Sequence, residues 1–504
     1  MAGIGFELKK LFKATGVLGV LRAYGYTGMI TAGPMLLGIF YLMGIGIIGT
    51  RFGLDEHNRE LLTSMITYNL LFSLIITGFF SMVVTRYVSD LLYQEREDEV
   101  IGSLSGSLFV ILPIGCFLYG IFLMLSGIGF IRMILNLVML SELLCVWMMM
   151  NYLTAIKNYK GILIGYVISI MVSLGGAVMC CLFISVSIEL LLLFVCLGYG
   201  VMMCVDMILL YQYFPARGKE YFSFLHWIDE YKELVIIGVF SSIGLYSHLV
   251  IAWFSAMGKH IQGLYYGAPQ HDIAALFAFM TILITNINFV ASVEVHFYPK
   301  YRKYYDLFNG KGSIGEINVA EKEMKEVLLH ELVYTARRQF YATALMLSVG
   351  MTLLNKLPLG FDDLMDGYFR ILCVGYGVYA IGNVIMLILM YFTDYEGAGI
   401  STIIFAVVST VGSLFSLNLN VRYYGFAFAI GGMTYLVYCI FRLYGFLKNI
   451  PYHILATQPM VRRETRSFLT FLGEDMNSFF RKKESFKKQQ VLADDKEKQE
   501  AKGI

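Results

Sequence analysis

Long apolar runs, each the length of a membrane-crossing helix, recur along almost the whole chain with short polar segments between them. A hydrocarbon core of roughly 30 Å takes about 20 residues of helix. Twelve runs come close to or exceed that length: Tyr24–Gly49, Leu62–Val84, Ile101–Leu125, Met133–Ala155, Gly161–Ile184, Ile188–Tyr213, Leu234–Ala256, Ile273–His296, Phe340–Leu357, Tyr368–Phe392, Gly397–Leu419 and Tyr424–Leu447. Six precede and six follow a polar, aromatic stretch, Phe214–Glu233. The pattern predicts an all-α membrane protein of twelve transmembrane helices in two six-helix lobes. The expected divisions are an amphipathic N-terminal segment (1–22), a first lobe (23–213), a cytoplasmic linker (214–233), a second lobe (234–447) and a cytoplasmic tail (448–504).

Charge placement orients the layout, because cytoplasmic segments carry the excess of Lys and Arg. Of the 39 basic residues, only Arg51, Arg59, Arg132, Lys259, Lys356, Arg370 and Arg422 fall on one side; the other 32 fall with the two termini, which are therefore expected in the cytoplasm. An even number of spans per lobe makes the lobes parallel repeats about an axis along the membrane normal. Short echoes agree: Tyr152 and Thr154 end the fourth span as Tyr391 and Thr393 end the tenth, and Gly161 and Gly397 open the spans that follow.

Composition settles the class. Hydrophobic residues make up 58% of 504 positions and charged residues 15%, and the mean hydropathy is +0.66, more apolar surface than a soluble domain can bury. The eight cysteines all lie in apolar runs, with neither metal spacing nor a disulfide framework.

The polar margins carry their own patterns. In residues 1–21, Ile4, Leu8, Leu11 and Phe12 recur at helical spacing among Glu7, Lys9, Lys10 and Lys13, which describes a surface helix on the inner leaflet or a solvated lead-in, and no cleavable signal. A basic, aromatic stretch opens the long inner loop, Tyr298–Gln339, which turns at Gly310–Gly315 and reads as helix from Val319 to Arg338. In the tail, Phe468, Leu469, Leu472, Met476, Phe479 and Phe480 form an apolar stripe beside Arg462, Arg463, Arg466, Arg481, Lys482 and Lys483, a helix that lies on anionic lipid or docks on a partner. Ala493–Ile504 is charged and expected to be disordered.

Catalytic chemistry is not evident. A phosphate-binding loop needs a glycine five residues before its Gly-Lys pair, but Gly218, Gly258 and Gly310 are preceded there by Tyr213, Trp253 and Tyr305. His330-Glu331 does not extend to a zinc motif. No cofactor, metal or nucleic-acid partner is expected. What remains is polar residues at membrane depth, which are costly and mark a lined path or a structural pair: Asn69, Arg86, Glu142, Asn151, Asp206, His248, Asn286, Asn288, Glu294 and Asn383. The amides suit hydrogen bonds between helices as well as substrate contact. Glu142 and Asp206 sit between apolar stretches on both sides, which points to polymer contact or a proton relay. Arg86 and Glu294 lie near span ends, and His248 is a titrating or a packed histidine. The Gly33-Pro34 break in the first span is a candidate hinge, since proline removes a helix hydrogen bond.

The opening Met-Ala-Gly-Ile-Gly-Phe-Glu-Leu-Lys-Lys-Leu, residues 1–11, followed by Leu21, Arg22, Ala23, Tyr24 and Gly33-Pro34, resembles the PelG family, inner-membrane exporters of Pel exopolysaccharide and a distant branch of a flippase superfamily. The resemblance implies two six-helix lobes around a central cavity. It also implies an N-acetylgalactosamine-rich polymer made by a cytoplasmic glycosyltransferase, PelF, with a PelD-like cyclic-di-GMP receptor and a PelE-like protein as membrane partners. The expected function is export of a nascent polysaccharide by a transporter, not an enzyme. A lipid-linked oligosaccharide flippase or drug antiporter is the second reading, and a non-transporting scaffold of the synthase the third.

Overall fold

The computed structural model describes residues 37–153, 159–214, 218, 220–310, 312–354, 362–457 and 467–480. The N-terminal segment 1–22, the Gly33-Pro34 hinge, most of the basic residues of the tail and the Ala493–Ile504 end lie outside them. The first lobe contains α1 (Leu37–Arg51), α2 (Glu56–Tyr93), α3 (Val100–Leu125), α4 (Phe130–Leu153), α5 (Gly161–Cys181) and α6 (Ile188–Tyr213). A short linker helix, α7 (Phe224–Glu230), leads to α8 (Lys232–Trp253), a two-stranded antiparallel hairpin of β1 (Lys259–Gln262) and β2 (Tyr265–Gly267), and α9 (Pro269–Phe289). Then come α10 (Tyr298–Asn309), α11 (Ile314–Leu345), α12 (Asp363–Tyr391), α13 (Tyr395–Ser416), α14 (Phe426–Lys448), α15 (Ile450–Thr457) and a tail helix, α16, at residues 468–480.

Each of the twelve expected spans falls on one of these helices. Among the described residues ten helices are long and apolar enough to cross a membrane; α1 and the apolar end of α11, which continues through Met351–Leu354, supply the other two positions. The all-α expectation holds, and among the described residues the β1–β2 hairpin, which Gly263 turns at φ +56, is a small addition to it.

The lobes share one packing scheme. In the first, α2 packs on α4, α4 on α6 and α5 on α6; in the second, α9 packs on α12, α12 on α14 and α13 on α14. Second, fourth, fifth and sixth members of each lobe thus keep the same neighbours, as parallel repeats require. Two buried apolar cores follow, one per lobe, but the hairpin breaks the division: Trp253, Ile261 and Tyr265 belong to the first core.

Helix ends explain the segment lengths. Asp55 starts α2 by accepting from Asn58 N at 3.1 Å, and Ser313 and Glu316 form a reciprocal capping box at the start of α11. The long inner loop is therefore an extension of helices: α9 passes through a π-helical stretch, Val290–Phe297, into α10, and α11 returns beside it. Further π-helical turns occur at Met171–Gly175 and Met346–Gly350, and such turns mark bends in otherwise regular helices.

The linker is held by backbone contact. A Cβ on Gly106 of α3 would come within 1.8 Å of Tyr221 O, and one on Gly102 within 3.2 Å of Gly218 O. Glycines one turn apart thus let the linker lie directly on α3. Gly106→Ala is expected to destabilise the protein by ~1–3 kcal/mol through overpacking, read as a lower Tm in detergent with faster proteolysis of the linker. Gly120→Ala, with nothing within 4 Å of its added Cβ, is the neutral control.

Candidate functional site: the seam between the lobes

The lobes meet where α2 of the first crosses antiparallel to α8 of the second. Three levels of contact run along this seam, named here by the expected orientation. At the centre, two small residues remove the side chains that would hold the helices apart: a Cβ on Gly238 would stand 2.1 Å from Gly78 O, and one on Gly78 2.6 Å from Ser242 Oγ. Lipid offers no hydrophobic drive for helix association, so close approach of small residues carries the contact.

At the outer end the β1–β2 hairpin reaches from the second lobe onto the first. Lys259 Nζ pairs with Glu60 at 2.7 Å, which raises the lysine above its ordinary range. The Tyr68 hydroxyl donates to Tyr266 O at 3.0 Å and accepts from Tyr266 N at 3.2 Å. Its ring stacks on Trp253, with centroids 4.4 Å apart, and meets Tyr265 and Phe122. Trp253 in turn donates Nε1–H to both carboxylate oxygens of Asp272.

At the inner end Arg86 pairs with Asp90 at 3.1 Å, and Asp90 also accepts Trp227 Nε1–H at 2.8 Å from the linker helix. The Arg86 guanidinium lies 5.6 Å from the Tyr231 ring centroid, and Tyr231 makes an edge contact with Tyr395 at the start of α13. First lobe, linker and second lobe thus converge on one cation. Arg86 is half-buried, in the last two turns of α2.

The remaining sequence candidates separate into three groups. Two amides bridge helices: Asn69 is fully buried on α2 and donates to Asn136 Oδ1 at 2.6 Å, and Asn151 Oδ1 accepts from Ser81 Oγ at 2.9 Å. With Trp147 Nε1–H donating to Ser73 Oγ at 2.9 Å, these pairs tie α2 to α4. Asn288 belongs to a second ladder, between α9 and α11, and accepts from Arg338 Nη1 at 2.9 Å. Thr285 with Gln339 lies above it, Ser292 and His296 with Glu331 below, and the ladder ends where Lys300 and Lys303 hold Glu323 below the usual carboxylate range. Asn286 and Asn383 are half-buried on α9 and α12, and the Glu294 side chain lies outside the described residues.

The third group is ionisable, with Asp206 and His248 buried and Glu142 half-buried. Among the described residues neither oxygen of Asp206 on α6 has a hydrogen-bond partner, and Glu142 on α4 leaves Oε2, itself buried, without one. Glu142 Oε1 rests against Gly200, 2.9 Å from an added Cβ, at the edge of a cavity of about 390 Å³ lined by Ile134, Leu137, Val138, Ser141, Cys145 and Met203. Burying a carboxyl without a donor is costly, so a structural role for this pair has no visible partner. His248 does have one: its Nε2 meets Tyr376 Oη at 3.1 Å, and its ring lies 5.2 Å from that of His271.

Sequence reasoning missed Glu60, Tyr68, Asp90, His271 and the hairpin. The contacts of Glu60, Tyr68 and Asp90 across the seam join residues 137 to 199 positions apart, and no local period signals them. The doubled hydrogen bond of Tyr68 yields a prediction. Tyr68→Phe keeps the stack, loses ~1–2 kcal/mol and speeds amide exchange across Lys259–Gly267. Lys259→Ala removes only a solvent-exposed ion pair, screened by water, and changes exchange less. Exchange mass spectrometry on the two variants checks the order.

No curated protein matches the chain by sequence. Solved structures match in fold. A MOP superfamily transporter from Pyrococcus furiosus is 10% identical with a TM-score of 0.54, over 84% of this chain and 96% of that one. The lipid II flippase MurJ in its inward closed conformation is 12% identical with a TM-score of 0.54, over 92% and 99%. The Vibrio cholerae MATE transporter VcmN is 11% identical with a TM-score of 0.54, over 86% and 99%. At these identities the likeness is one of fold, and the twelve helices in two lobes are that fold. The PelG family model, described as "Putative exopolysaccharide Exporter (EPS-E)", matches residues 1–455 and so takes in both lobes and the linker. With that coverage, the chain belongs to the PelG family.

Proposed function

We propose that this chain conducts a nascent, Pel-type, N-acetylgalactosamine-rich exopolysaccharide across the cytoplasmic membrane, through the space between its lobes. Both termini face the cytoplasm, where a PelF-like glycosyltransferase delivers the polymer. A PelD-like cyclic-di-GMP receptor and a PelE-like protein are the membrane partners. Family membership across both lobes supports the export reading, and the observation that carries it to a docked synthase is the α10–α11 extension. There, in the segment preceding the apolar end of α11, Val319, Leu329 and Val333 remain exposed, Leu329 at 65%. They alternate with the exposed Lys322 and Glu326 at helical spacing. An apolar strip on a projecting helix, crossed by charges of both signs, suits a protein partner held by a helix face.

Within the lobe, Glu142 and Asp206 serve the passage itself, in polymer contact or proton relay, because no structural partner accounts for them. Membrane vesicles containing the whole complex and fed nucleotide sugar separate the readings. Glu142→Gln with Asp206→Asn is expected to cut polymer release tenfold or more, on the order of 1.4 kcal/mol or above in the limiting step, while pull-down of the glycosyltransferase is unchanged. Unimpaired release would make the chain a scaffold, and release only of short lipid-linked units would make it a flippase. Leu329→Asp with Val333→Asp is expected to do the reverse, weakening the pull-down while leaving the chain folded; full retention of the glycosyltransferase would remove this face as its dock.

A further inference from the structure

The tail helix α16 has three distinct faces, and two are already occupied. Gly473 and Asn477 meet the linker: Asn477 Oδ1 accepts from Tyr221 N and Phe222 N, both at 3.0 Å, and a Cβ on Gly473 would stand 2.8 Å from Phe222 O. Thr470 adds two hydrogen bonds to Asp229 Oδ2, at 2.8 and 2.9 Å, and one with His226 Nδ1 at 3.1 Å. Thr470, Glu474 and Ser478 border a polar cavity of about 450 Å³. The side left over, at 3.6 residues per turn, carries Phe468, Leu472 and Phe479, with Phe468 75% and Phe479 62% exposed.

We propose that this third face lies in the acyl-chain boundary of an anionic leaflet, so that α16 is an interfacial anchor as well as a clasp on the linker. Three observations favour lipid over a protein partner. The apolar arc is continuous, through Leu469 and Met476, with Phe480, whose ring meets Phe109 of α3 at 6.3 Å between centroids. Phe109 starts an exposed apolar stripe on α3 that continues through Ile114, Phe117 and Ile121, as a lipid-facing helix surface does. The clasp therefore holds the arc beside that stripe. Finally, the sequence on either side of α16 is basic, with Arg462, Arg463 and Arg466 before it and Arg481, Lys482 and Lys483 after it, and each basic residue near an anionic surface adds about 1 kcal/mol. Of the two exposed acids of the helix, Glu474 borders the polar cavity, whereas Asp475, three residues after Leu472 and four before Phe479, stands at the edge of the apolar arc, where its carboxylate reaches the headgroup level. An amphipathic helix with this division of faces inserts its apolar side roughly 5–10 Å into the headgroup boundary.

The full chain in nanodiscs, carrying the photoreactive p-benzoylphenylalanine at a single position, tests this. Positions 468 and 479 report the proposed face, 478 the polar face and 117 the α3 stripe. Mass spectrometry after illumination is expected to show phospholipid adducts at 468, 479 and 117 and little at 478. At 468 and 479, but not 117, the yield should rise roughly fivefold or more when phosphatidylglycerol is mixed into phosphatidylcholine, the factor one basic contact supplies. Adducts at 468 and 479 to protein alone, no lipid adducts there while position 117 gives them, or yields indifferent to phosphatidylglycerol would each overturn the proposal.

Discussion

The crossing of α2 and α8 is the constraint on which the rest of the molecule depends. Two helix bundles in a bilayer gain nothing from hiding apolar surface from one another, because lipid solvates it equally well. They stay together through close backbone approach and polar contact. Gly78 and Gly238 supply the first, and the pairs at either end of the crossing supply the second. The seam is thus fastened at its two ends and free of bulk in its middle.

The end contacts differ in kind. At one end a hairpin of the second lobe is built into the core of the first, with a tyrosine hydroxyl satisfying both backbone groups of Tyr266. At the other, one arginine pairs with an acid of its own helix and lies over the ring of Tyr231, which meets Tyr395.

Polar residues inside the lobes divide by whether they are answered. Asn69, Asn151 and Asn288 have partners on the neighbouring helix, and their chemistry is spent on holding helices in register. Among the described residues Asp206 and Glu142 Oε2 are not answered. Groups of that kind persist at membrane depth where a cost in stability is offset by use.

Much of this molecule was legible from the order of its residues alone. Apolar run length determines where helices cross a bilayer, because an unpaired peptide group in hydrocarbon forbids any other local structure, and all twelve spans were found in that way. The glycine-rich turn before α11 and the helix that follows it were equally local. The partners were not. Whether Asn69 faces a path or Asn136 depends on the rotation of two helices, and every face of a lipid-embedded helix has much the same composition, so no period betrays which side is inward. The hairpin was hidden for a related reason: its strands are too short to show a period, and their hold on Tyr68 joins residues 198 positions apart. Tertiary structure alone decided which polar groups were satisfied, which stood unpaired among the described residues, and which side of α16 the linker covers.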